Sequence, residues 1–106
     1  MDADADVDAD QDLITVRSRL RSALEGVHGR LRATDAIRLA GFKRRTYLRA
    51  LLVARSMREL GWDQARCRFN GTLETAYARG SGLEREIIID VERGTDGQLT
   101  VKAKEP

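Results

Sequence analysis

The 106-residue chain has one cysteine, one histidine and no long apolar run. The lone Cys67 excludes an intramolecular disulfide and leaves too few thiolates for a Cys-rich zinc site. The lone His28 has no second imidazole and no nucleophile motif to work with, so it reads as a surface or capping residue. No stretch approaches the roughly 18 consecutive apolar residues that a membrane-spanning helix needs. The N-terminus lacks the apolar segment that marks a secretory leader. No Gly-x-x-x-x-Gly-Lys-Ser/Thr loop is present, which excludes a P-loop ATPase. These absences lead us to expect a soluble, cytoplasmic protein. No catalytic residues, metal site, cofactor or small-molecule substrate are evident.

What is present is charge, unevenly distributed. Residues 1–12 hold six Asp and no Lys or Arg, a net −6. Residues 13–79 hold 15 Lys and Arg against 5 Asp and Glu, a net +10. Residues 80–106 hold 4 against 6, a net −2. A basic block between acidic ends suits an anionic partner. All but one of the 15 middle cations are Arg, whose planar fork donates in pairs to phosphates and base edges. A GC-rich genome would also favour arginine codons, without any function attached.

The start, MDADADVDADQD, alternates Asp and Ala and cannot bury enough apolar surface to offset its ordering entropy. Residues 1–11 are therefore expected to be a disordered acidic tail. Leu13, Val16, Leu20, Leu24 and Val27 follow three-four spacing and predict a first helix over about 12–25, capped by Asp10 or Asp12 and ended by Gly26. A short extended piece follows between Val27 and Arg32. Thr34 is expected to cap a second helix that ends at Gly41, and a third helix is expected from about Lys43 to Leu60, closed by Gly61.

After Trp62 the period changes to two. A hairpin with an Asn70-Gly71-Thr72 loop would pair Phe69 with Leu73, Cys67 with Thr75 and Ala65 with Tyr77, giving one mostly apolar face. Trp62, Tyr77 and Cys67 are expected in or against the core. Ile87, Ile89 and Val91, then Thr95-Asp96-Gly97, then Leu99, Val101 and Ala103 predict a second hairpin over 80–106 that packs on the domain or serves dimerisation. Ile88, lying between two inward residues, suggests that both faces of its strand are partly covered.

Helix, extended piece, helix, turn, helix and hairpin is the element order of a winged helix-turn-helix. The expected fold is α+β: three helices plus a β-hairpin wing over 12–79, with an additional C-terminal β-hairpin. In such units the second helix of the pair enters the major groove of DNA. On the third helix Tyr47, Ala50, Val53, Ala54, Met57 and Leu60 are assigned to the core side. Leu48, Leu51 and Leu52 interrupt the opposite, arginine-bearing half, so its C-terminal part is expected to be covered by other chain. The exposed charge should gather at the helix start. The candidate DNA-binding residues are Lys43, Arg44, Arg45, Thr46 and Arg49 there, with Arg66, Arg68 and Arg79 on the hairpin.

Residues 57–79, MRELGWDQARCRFNGTLETAYAR, contain Leu60-Gly61-Trp62, Arg66, Arg68, Gly71 and Tyr77-x-Arg79. In these features the segment resembles the closing winged-helix segment of phage and mobile-element primase-helicase proteins. The resemblance implies nucleic-acid binding in a phage or plasmid setting, without helicase or primase activity. The expected role is a small regulator of transcription or replication acting on double-stranded DNA, with homodimerisation open. The alternative is a protein-interaction module, such as a phage-encoded inhibitor of a host protein.

Overall fold

A computed structural model of the chain describes residues 12–104. The expectation of a disordered tail over 1–11 lies outside the described residues. Helix α1 spans Leu13–Leu24. It starts where Asp12 accepts the Thr15 N–H at 2.8 Å, as an N-cap should. Its three-four stripe buries Val16, Leu20 and Leu24. The extended piece that follows is a strand, β1, Gly29–Arg32.

Helix α2, Ala33–Leu39, begins directly from that strand. Thr34 was expected to cap it but lies inside its first turn. Strand β1 pairs as far as Arg32 opposite Ala76, so the backbone turns helical at Ala33, two residues too early for Thr34 to cap. Helix α3 spans Tyr47–Glu59, not Lys43 to Leu60. Its start is fixed by Thr46, whose Oγ1 accepts the Arg49 N–H at 3.2 Å, a service no side chain from Lys43 to Arg45 can perform.

Both α2 and α3 stop at a glycine in the left-handed region. Gly41 has φ +99° and Gly61 has φ +92°. Around Gly41, the Phe42 N–H donates to the Ile37 carbonyl at 3.2 Å, and around Gly61 the Trp62 N–H donates to the Met57 carbonyl at 2.9 Å. Both are Schellman-type closures that satisfy late helix carbonyls and carry a buried aromatic into the core.

Strands β2 (Asp63–Phe69) and β3 (Thr72–Arg79) form the first hairpin. Its register differs from expectation by one residue: Phe69 pairs with Thr72, Cys67 with Glu74 and Ala65 with Ala76. Asn70 (φ +53°) and Gly71 (φ +84°) alone make the turn. Two consecutive residues that accept positive φ give a two-residue loop whose twist matches the strands. The shift separates residues expected to share a face, since Tyr77 now lies opposite Gln64 and away from Phe69 and Cys67. After a 3₁₀ turn at Glu84–Glu86, strands β4 (Ile88–Arg93) and β5 (Leu99–Lys104) form the second hairpin.

All five strands form one sheet, in the order β2-β3-β1-β4-β5. Strand β1 pairs antiparallel with β3 and parallel with β4. The described residues therefore form an α+β structure of three helices and a mixed sheet, into which the second hairpin is built through β1. The register places Leu31, Tyr77 and Ile89 on one face, and these pack with Val16, Leu20, Val53, Met57 and Trp62 into one core beneath the helices. The other face carries charge instead: Arg32 bridges Glu74 at 3.5 Å and Asp90 at 3.4 Å, and Lys104 reaches Asp90 at 2.9 Å. Phe69 is buried on that side with the Arg32 guanidinium 4.4 Å from its ring centroid. Ile88 is half-buried. No helix among the described residues is long and apolar enough to cross a membrane.

Candidate nucleic-acid interface

The connection from α2 to α3 carries Lys43, Arg44 and Arg45, all exposed. It is braced at both ends. Phe42 is anchored in the core at its start, and Thr46 caps α3 at its end. Arg49, in the first turn of α3, folds back over it: Nη1 donates to the Arg44 carbonyl at 2.9 Å, and the guanidinium lies 5.3 Å from the Phe42 ring centroid. The basic triplet is thus displayed on a held loop, ahead of the helix on which it was expected.

The first turns of α3 also differ from expectation. Tyr47, assigned to the core side, is 77% exposed. At about 100° per residue it stands about 120° around the helix from the buried Val53. Leu48 and Leu51 are 59% and 47% exposed while Leu52 is half-buried, so the described residues cover that face only in part. Arg55 and Arg17 meet on Glu59, at 3.3 Å and 2.6 Å, which ties α3 to α1. Arg17 first and Arg55 second hold the Glu59 carboxyl below the ordinary range.

On the hairpin, Arg66 and Arg68 are exposed. Arg66 stands opposite Thr75, and Arg68 Nη1 donates to the Gly71 carbonyl at the tip at 3.3 Å. Arg79 is placed differently from the other candidates. Its Nη2 donates to the Leu24 carbonyl at 2.6 Å and the Val27 carbonyl at 2.8 Å, its Nη1 to the Leu60 carbonyl at 3.0 Å. Its guanidinium lies 4.6 Å from the Trp62 ring centroid, and burial lowers its pKa. It joins the ends of α1 and α3 and does not stand with Arg66 and Arg68.

A groove of about 510 Å³ runs between the start of α3 and the hairpin, with Arg45, Tyr47 and Leu51 on one wall and Gln64, Thr75 and Tyr77 on the other. Burial raises the Tyr77 pKa, against smaller opposing effects from Arg58 and Arg45. The walls offer a guanidinium, a planar exposed ring, an amide and hydroxyls, groups that can meet phosphate oxygens and base edges, and also the Glu74 carboxylate, which Arg32 pairs at 3.5 Å. Tyr47, Gln64 and Thr75 were not among the sequence candidates. Only the correct helix start and hairpin register would have revealed them.

Among the described residues no three His, Cys, Asp or Glu side chains gather as metal ligands. His28 Nδ1 lies 3.7 Å from Glu84 Oε2 at the surface. No family model, curated protein or solved structure matches the chain.

Proposed function

We propose that the protein is a winged helix-turn-helix DNA-binding protein that regulates transcription or replication. The carrying observation is that Arg45 and Tyr47 share a groove with Gln64 and Thr75, while Arg66 projects beside that groove from opposite Thr75. One continuous surface therefore presents a basic loop, a helix start and a basic hairpin. Helix-strand-helix-helix-hairpin order, with β1 paired to the hairpin's second strand, supports the same reading. In it, the start of α3 enters the major groove of duplex DNA, and Arg44, Arg66 and Arg68 hold phosphates.

Fluorescence anisotropy on a labelled duplex, at low and moderate salt, tests this. Binding should weaken steeply as salt rises, because each neutralised phosphate releases counterions. The double substitution Arg45→Glu, Arg66→Glu should remove binding while the melting temperature stays within a few degrees. Absence of binding at low salt, or affinity indifferent to salt, would end the proposal.

A second reading is favoured by Tyr47, Leu48, Leu51 and Leu73, large apolar side chains exposed on or near the same surface. Exposed apolar clusters of this kind often mark protein contacts. Under this reading the protein is an interaction module, and changing Leu48 and Leu51 to Ser would abolish capture of a protein partner without altering DNA affinity.

A further inference from the structure

We propose that a second groove, remote from the β2–β3 hairpin, binds a small phosphate-bearing ligand. It holds about 890 Å³ between α1, the α2–α3 connection and the β4–β5 turn, within the usual size range of small-molecule sites. Four cations line it: Arg19 from α1, Arg38 from α2, Lys43 from the connection and Arg93 from β4. No Asp or Glu is among its lining residues.

The way these cations are held is the informative part. Arg93 Nη1 donates to the Gly97 carbonyl across the β4–β5 turn at 2.8 Å. Arg19 Nη1 donates to the Ala40 carbonyl at 3.1 Å. It lies over Gly41, where a Cβ would come within 2.8 Å of that nitrogen. The Gly97 carbonyl fixes the Arg93 guanidinium in place without cancelling its charge, which preorganises it for an anion. Arg38 is partnered by Asp35 at 2.9 Å. Lys43 and Arg93 make no ion pair among the described residues. Like charges gathered from separate stretches of chain repel one another, and an anion between them turns that repulsion into attraction. Ser22 and Gln98 also line the groove and add neutral donors of the kind that orient phosphate oxygens.

A free phosphate ester and a DNA backbone present the same chemistry, so the test must separate them. The probe is inorganic pyrophosphate, titrated calorimetrically into the full chain at constant ionic strength set with chloride. The expected result is saturable one-to-one binding, weakened about tenfold by either Lys43→Gln or Arg93→Gln and unchanged by Arg66→Gln. No saturable binding at millimolar pyrophosphate would overturn the proposal. So would binding that survives both groove variants, or binding that Arg66→Gln removes equally, which would place the anion on the hairpin surface. A duplex that competes for pyrophosphate in the native chain but not in Arg66→Gln would assign the groove to DNA backbone and likewise overturn it. The duplex titration of the Arg45 and Arg66 variant is scored separately, so either idea can fail alone.

Discussion

Arg79 shows what one side chain can hold together. Its fork reaches the Leu24, Val27 and Leu60 carbonyls while its plane lies on Trp62. Those carbonyls include the last of α1 and the C-cap of α3, groups a helix cannot satisfy internally. Arg79→Met keeps the apolar stem but takes the guanidinium donors from the Val27 and Leu60 carbonyls and leaves the Leu24 carbonyl with the Val27 N–H alone. It should lower unfolding free energy by about 3 kcal/mol, read from urea denaturation, and Arg79→Lys should recover only part of the loss because an ammonium cannot fork. Ser56 is the converse case. It is fully buried on α3, and its Oγ has no hydrogen-bond partner among the described residues. Ser56→Ala removes that unmet hydroxyl and should raise stability by about 1 kcal/mol, seen as a higher urea midpoint. Nothing in the local sequence separates Arg79 from Arg66 or Arg68, which also alternate along strands. The difference lies in which helix ends reach each of them.

At the scale of elements, stops were easier to read than starts. Gly41 and Gly61 end their helices as expected, because positive φ strongly selects glycine. The starts of α2 and α3 moved because competing capping residues and strand pairing decide them, and both depend on where the preceding element finishes. The α3 shift transfers Lys43, Arg44 and Arg45 from helix to loop and turns Tyr47 outward. The hairpin depended on loop length: a two-residue turn in place of three moves the pairing by one residue and changes which side chains line up across the strands. Gly71 carries that choice. A Cβ there would meet nothing within 4 Å, so Gly71→Ala tests backbone strain alone and should cost about 1–2 kcal/mol. Asn70→Gly should be close to neutral. Differential scanning calorimetry of the two variants separates these outcomes.

For the whole molecule, the joined sheet is the main consequence of the tertiary structure. The parallel pairing of β1 with β4 places Ile89 beside Leu31 in the core. A chain ending at Arg79 would leave that edge of β1 unpaired and expose the core face that Ile89 and Val91 cover. We expect such a truncation to lose its cooperative thermal transition, monitored by circular dichroism, and not to behave as a self-sufficient domain. The sequence by itself determined the broad class, the first helix, the glycine stops, the existence of two hairpins and the basic middle. These follow from local periodicity, turn chemistry and composition, which need no partner elements. Tertiary structure alone decided the strand order, the inward role of Arg79 and the two grooves with their linings. Each of these depends on distances between residues far apart in the chain, which local sequence does not encode.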